Sequence, residues 1–499
     1  VRFNTAATAE RAGIRYAQKA SERTDMMDVL QRCVEQGEKL GADFVEARFE
    51  DLTLRTLSRI DDMWKDIQVK SRRGIAVSCY VEGVAGFSFT ASTDSDSVRE
   101  TVERAFKMAR ASLTAAKLKL PFEHDSLVSS EPAYRPTVKI HPRDRDLSFK
   151  TDLVNRAVEA AQEHGKNVRN IRGAYGELYG QKMLTNSDGS QIDWDFLVTE
   201  LRVRVTSKTA SGDMVLGIEI HGGTYGLEEY QKEEFGPEVL GRMAAENAAE
   251  QIDAKPCPGG VFRTLIENRL VGVLAHESFG HLSEADFVVT GASPLTDKVG
   301  QRLGTEHATI IDSGIVEIEK YGGLWVPFDD QGIPGGETVV LEKGVLKHYL
   351  HDRGTAARLD QRPTGNARAI TFNFPPIVRM TNTYFAPGDL TEEEALELVG
   401  TGIYAIQSYG GQVEGDGSFV FKAVRGYWVE NGEIKYPVRE VSLSGNVLEL
   451  LGHVEDATRD LQLSSGYFGG CGKGGQAPLP VGLGGPKLVV DGVTFGGKT

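Results

Sequence analysis

Cysteine is scarce in this chain. Four residues in 499, Cys33, Cys79, Cys257 and Cys471, cannot build a disulfide framework, so a reducing, cytoplasmic setting is expected. No apolar run approaches the roughly 20 residues of a transmembrane helix, and Val1 to Ala20 lacks the apolar core of a secretory signal. Positive charge is in deficit: 56 Lys and Arg against 71 Asp and Glu leave a net charge of −15. That argues against nucleic acid as a partner, because phosphate binding needs clustered cations. Internal repeats are missing, which argues against a solenoid. A strict β-α-β-α alternation is missing too, which argues against a doubly wound parallel sheet.

Glycine is plentiful, with 57 residues, many of them beyond residue 400, which signals tight turns and close backbone approaches. The length calls for two or three structural units. Residues 1–24 read as an N-terminal extension. In 25–115, Val29, Leu30 and Cys33 mark a helix that Gly41 can end. Val45, Ala47 and Phe49 alternate as a strand, and Glu82-Gly83 turns a hairpin. Ser97 and Glu100 suggest a capping box for the next helix. Residues 116–145, with four prolines, read as a linker. In 146–256 a second helix–strand unit follows, with a hairpin at Asp188-Gly189. Residues 257–499 read as a β-rich domain with one helix at His276 and another capped by Thr391 and Glu394. The fold class is α+β: N-terminal units of helices on mixed or antiparallel sheets, then the β-rich domain.

Chemistry concentrates in Leu274-Ala275-His276-Glu277-Ser278-Phe279-Gly280-His281-Leu282-Ser283-Glu284-Ala285-Asp286. Two imidazoles flanking a carboxylate suit Zn²⁺. A Glu beside the ion can take a proton from water, whose pKa the metal lowers to about 7, and hand it to the leaving amine of a cleaved amide. The spacing is unusual. In H-E-x-x-H the histidines lie about 40° apart around a helix, whereas five residues separate them here, about 140° on an ideal helix. Both rings can reach one ion only if the helix is altered, so a π-bulge or kink is expected within 277–281, with Gly280 the natural place for it.

A second feature is Gly469-Gly470-Cys471-Gly472-Lys473-Gly474-Gly475-Gln476. It fails as a phosphate loop, since Tyr467 and Gly474 stand where Gly and Ser or Thr are required. Cys471 is either a zinc-ligating thiolate or an inert thiol in a tight turn.

Taken in order, these two segments, Asp329-Asp330-Gln331-Gly332, Gly344-Val345-Leu346, Arg379-Met380-Thr381-Asn382-Thr383, Gly410-Gly411-Gln412-Val413, Arg73-Gly74-Ile75-Ala76 and Gly86-Phe87 resemble the TldD/PmbA family, the modulators of gyrase, in its TldD-like branch. The resemblance implies a zinc-dependent peptidase with an H-E-x-x-x-H helix. His276, His281 and Cys471 would be the ligands and Glu277 the general base. It also implies small or unfolded peptides as substrates, and either a homodimer or a heterodimer with an inactive TldE/PmbA-like paralogue. Gln331 departs from the acidic residue expected there.

Glu284 can be a competing ligand or can orient an imidazole, and Asp286 has the second possibility. Arg379 and Asn382 are candidates for substrate contact or for turn formation. His307, His348, His351 and His453 stand singly and read as surface or satisfied histidines. The rival to a zinc peptidase is a non-catalytic peptide-binding subunit, which would bind extended chains by strand pairing without cleaving them. Neither reading requires a membrane or a nucleic acid.

Overall fold

The structure, a computed structural model, describes residues 23, 25–115 and 134–496. The expected extension over 1–24, Arg23 apart, and the larger part of the expected linker, 116–133, lie outside the described residues. The fold is α+β.

Strands β1 (Phe44–Ile60), β2 (Met63–Val81) and β3 (Val84–Thr90) form an antiparallel meander, as do β4 (Val168–Asn186), β5 (Gln191–Lys208) and β6 (Met214–Gly223). The segments 25–115 and 146–256, read above as separate units, share one sheet. β1 pairs antiparallel with β4, giving the order β3-β2-β1-β4-β5-β6. Strands this long would otherwise leave rows of unpaired backbone groups along two edges. Both expected hairpins are present. Val81 faces Val84 across Glu82-Gly83, and Gly189, at φ +83°, turns the chain between β4 and β5.

The two faces of the sheet differ because side chains alternate. On one face Val45, Ala47 and Phe49 meet α1 (25–40) and α2 (Ser95–Ser112), while Leu57 meets α3 (Leu147–His164) and α4 (Pro237–Glu250). The cap of α2 differs from the expected Ser97–Glu100 box. Asp94 is the N-cap and accepts from the Ser97 N–H. A carboxylate at that place gains from the helix dipole as well as from the hydrogen bond. The opposite face presents Glu46, Arg48, Glu50, Leu52, Leu54 and Thr56 to the C-terminal region. There Leu52 and Leu54 join Leu178, Phe196, Leu324 and Val326 in an apolar cluster, and Thr56 hydrogen-bonds to Tyr467.

The C-terminal region is built on two sheets. Strands Gly402–Val413, Gly260–Ile266, Leu488–Gly496, Ser442–Asn446 and Ser418–Glu430 pair in that order, and the last pairs back to the first, which closes a five-stranded barrel. A six-stranded sheet centred on Ile310–Ser313 and Asn382–Phe385 lies beside it. The helix capped reciprocally by Thr391 and Glu394 runs over Glu392–Val399. Four short helices, Ala285–Val289, Ile318–Tyr321, Arg353–Arg358 and Val447–Leu451, add to the two expected among the described residues. They are too short to show a helical period. Among the described residues no helix is long and apolar enough to cross a membrane.

Candidate metal centre

The chain leaves the barrel at Ile266 and turns at once into a helix. Glu267 caps it, accepting from the Arg269 N–H. The segment is α over Asn268–Val273, π over Leu274–Gly280 and 3₁₀ over His281–Ser283. The His281 N–H donates to the His276 carbonyl, an i→i−5 bond. That wider turn returns the fifth residue to the face of the first, and the two imidazole centroids stand 5.0 Å apart. The expected distortion is therefore present, beginning at Leu274, ahead of the expected window. Gly280 acts through its size. Its φ of −58° is ordinary helix, but a Cβ there would stand 2.1 Å from Met380 Sδ. Leu270, Val271, Leu274, Ala275 and Phe279 bury the remaining face in the barrel core.

Cys471 sits on a small hairpin of Cys471–Lys473 and Gln476–Leu479. Gly474 and Gly475 make its two-residue turn at φ +58° and +76°, a pair of positive values that glycine supplies without strain. Arg379, fully buried, donates to the Cys471 and Gln476 carbonyls. The hairpin delivers Cys471 Sγ to 3.4 Å from His281 Nε2. One donor atom each from His276, His281 and Cys471 lies within 4.8 Å of the others.

Surrounding groups fix these three. Glu284, fully buried, accepts from His281 Nδ1 at 2.9 Å, which leaves Nε2 facing the thiol. Lys473 bridges Glu284 Oε2 at 3.0 Å and Asp286 Oδ1 at 2.7 Å. His276 is 2% exposed, and its Nδ1 has no hydrogen-bond partner among the described residues. Burial, and then the charges of His281, Arg379 and Arg368, hold its pKa well below the ordinary value, so the ring is neutral. For His281 burial acts downward, but Cys471 and Glu284 outweigh it and raise the ring to about 10. A cation bound between His281 and Cys471 would displace the ring proton from Nε2. Glu277 is the open member, with a side chain 46% exposed and Oε2 3.9 Å from His281 Nε2. Crowding by the surrounding protein raises its carboxyl, and Glu284 adds to the effect.

The other candidates are placed as follows. Asp286 caps no helix and is held by Lys473. Asn382 is fully buried and bonds the backbone of Ser313 and Leu324, which gives it a fold role in place of substrate contact. Arg379 braces the hairpin. Gln331 accepts the Arg353 N–H through its side chain and so serves the start of a helix. Sequence reasoning missed Lys473 as a clamp, Gln476, which binds Ile370 N–H and the Pro375 carbonyl, and Arg368, which binds the carbonyls of Met380 and Pro480. For Lys473 and Gln476 the signal was their place in the glycine-rich segment, and Arg368, remote from it in sequence, gave none.

Three family models described as the PmbA/TldA metallopeptidase match the chain. Domain 1 matches over residues 45–109, the central domain over 140–252 and the C-terminal domain over 259–497. The chain belongs to the TldD/PmbA family. A family relative from Methanocaldococcus jannaschii, named a metalloprotease, is 34% identical over 444 residues, covering 89% of this chain and 95% of that one. A relative from Saccharolobus solfataricus, named a zinc metalloprotease TldD homolog, is 28% identical over 466 residues, covering 93% and 99%. The crystal structure of TldE from Thermococcus kodakarensis shares the fold, with a TM-score of 0.74 at 16% identity, covering 94% of this chain and all of that one. The names carried by the relatives support a metalloprotease activity for this member.

Proposed function

We propose that the chain is a zinc-dependent metallopeptidase acting on small or unfolded peptides, with His276, His281 and Cys471 as ligands and Glu277 as the proton carrier. The single observation that carries this reading is the convergence of three donor atoms, two brought together by the π turn of one helix and the third delivered by the Cys471 hairpin. The donor set fits the ion. Ligands about 2.0–2.3 Å from a tetrahedral centre stand about 3.3–3.8 Å apart, and His281 Nε2 and Cys471 Sγ are 3.4 Å apart. The unpartnered Nδ1 of neutral, buried His276 is a donor atom without a task in the metal-free chain.

Zn²⁺ held there supplies a Lewis acid that polarises an amide carbonyl and acidifies water. Three protein ligands leave a fourth position open, as a catalytic site requires. Glu277, exposed and 3.9 Å from His281 Nε2, would stand beside the bound ion. Its carboxylate accepts a proton from the attacking water and returns it to the amine that departs. Burial raises its pKa above the ordinary carboxylate value, the direction that helps it hold the proton before returning it. Glu284 and Lys473 hold His281 in the tautomer with Nε2 free.

Metal analysis of the purified chain should give about one zinc per chain. Glu277→Gln should keep the zinc and lose peptide cleavage by about 10²–10⁴-fold, the usual worth of a positioned acid–base group. Full activity in that variant would refute the role of Glu277. A non-catalytic peptide-binding subunit instead predicts affinity without chelator-sensitive cleavage, and the open Glu277 beside the donor cluster weighs against it. The shared fold with TldE supports a dimer with a TldE/PmbA-like chain or with a second copy, which sedimentation of this chain alone and mixed with such a partner would separate.

A further inference from the structure

A cavity of about 320 Å³ lies between the N-terminal sheet and the C-terminal region. Its floor is built from Leu52, Leu54, Leu178 and Phe196 on the face of the sheet away from the helices, and Val326 and Leu479 contribute to the opposite wall. Leu52 faces Arg72 across the β1–β2 pair and Leu54 faces Lys70, so two cations of β2 edge the apolar floor, and Glu50, Lys182, Asp330 and Arg368 complete the charged part of the lining. Protein interiors leave few voids of this size, since an unfilled apolar space forfeits packing on every wall. Neighbouring parts of the same seam are filled by pairs that cross it, such as Arg48 with Asp330 and Arg353 with Asp188. The space is therefore kept in a seam that the chain closes elsewhere.

The cavity adjoins the metal centre. Leu479 is the strand partner of Cys471, which places their Cα atoms about 4.5–5.5 Å apart with side chains on one face. Phe468, another wall residue, is three residues before Cys471, within about 10 Å along the chain. Arg368 also lines the cavity, and its charge acts on both His276 and Cys471. A peptide chain bound with an amide at the three donor atoms has one of its side chains within reach of this opening.

We infer that the cavity is a specificity pocket that receives a large apolar side chain, aromatic or leucine-like, of the peptide being cleaved. The inference rests on the metallopeptidase reading for the position of the scissile amide, and on the cavity alone for the kind of side chain. Its volume lies at the small end of ligand pockets, of about 300–1,000 Å³, which suits a single residue. Lys70, Arg72, Lys182 and Arg368 outnumber the carboxylates Glu50 and Asp330 around the opening, which disfavours a cationic side chain, and the apolar floor favours a neutral one.

The test uses the zinc-loaded full chain and quenched-fluorescent peptides in which one position at a time, from two before the cut to two after it, is Phe, Leu, Ala or Lys. The expected result is a preference for Phe or Leu over Ala of about tenfold or more in kcat/KM at one position, the scale of burying a large side chain. Val326→Phe, which fills the cavity, should bring that ratio to within about twofold. Leu54→Phe, from the floor, repeats the test should Val326→Phe not fold. A flat profile at all positions, or an unchanged ratio in a folded filling variant, overturns the pocket. Should the wild-type chain cleave no peptide, the metallopeptidase reading fails by itself. Calorimetric binding of the Phe and Ala peptides to the wild type and the filling variant then decides the pocket: equal affinities overturn it, and a Phe preference lost in the variant sustains it.

Discussion

Glu284 is the residue through which the site is held to one geometry. It is fully buried, accepts a hydrogen bond from His281 Nδ1 and is itself met by Lys473. A carboxylate in that place fixes the imidazole tautomer and raises the ring's strength as a ligand, and losing such a partner costs about 10–100-fold in metal affinity. Glu284→Gln should therefore weaken zinc binding by that factor in a chelator competition. Its effect should exceed that of Asp286→Asn, because Asp286 reaches the site only through Lys473. Equal zinc affinity in Glu284→Gln and the wild type would show that His281 is positioned by its packing alone. Arg379 belongs to the same scale. Its guanidinium donates to the carbonyls of Cys471 and Gln476. It sets where the thiol stands.

At the scale of the element, the π turn depends on a fit between Gly280 and Met380. An added methyl at Gly280 would overlap Met380 Sδ, and overpacking of this kind costs about 1–3 kcal/mol. Gly280→Ala should lower the thermal midpoint and the zinc affinity together, because strain released by shifting the turn moves His281. Met380→Ala in the Gly280→Ala background should recover part of both, and absence of any recovery would place the role of Gly280 in its backbone. The altered helix was legible before the structure, since two histidines five apart cannot converge from a regular α-helix. Its cause was not legible, because Met380 is remote in sequence. Strands with strict alternation, such as Leu201, Val203 and Val205 on β5, were legible for the same reason that periodic helices were: one side is dry. What escaped was whatever depends on pairing at a distance. The union of β1 with β4 across an intervening linker is one case. The clamp of Lys473 on Glu284 is another, and the barrel closed by Gly402–Val413 on Ser418–Glu430 is a third. The Asp94 cap was missed because three acceptors, Ser92, Asp94 and Ser97, compete within six residues, and only the fold decides which helix turn comes first.

For the whole molecule, the centre lies where two separately built regions meet. The N-terminal sheet gives its polar and apolar far face, and the C-terminal region gives the π helix and the Cys471 hairpin. Tyr467, four residues before Cys471, is tied to Thr56 of the sheet and lies flat against Gly176, where a Cβ would be 2.1 Å from its ring. Stability of the C-terminal region is therefore stability of the site, and one buried group links it to pH. His351 is 2% exposed, and among the described residues its Nδ1 meets the Thr355 hydroxyl and its Nε2 has no hydrogen-bond partner. Burial, helped by His348, lowers its pKa from 6.5 to about 4. The unfolded chain takes up this proton as pH falls below about 6.5, and the folded chain resists it until about 4. The contribution of His351 is thus complete above the unfolded value and is lost as pH falls through that window, reaching about 3 kcal/mol at its foot. Loss of zinc in acid would also destabilise the chain, but it would do so in the wild type and in a His351→Gln variant alike. Urea midpoints of the two at pH 7.5 and pH 4.5 isolate the difference. The wild type should fall further between the two pH values than the variant does. Parallel declines would mean that His351 is protonated in the folded chain at little cost, and that acid sensitivity arises elsewhere.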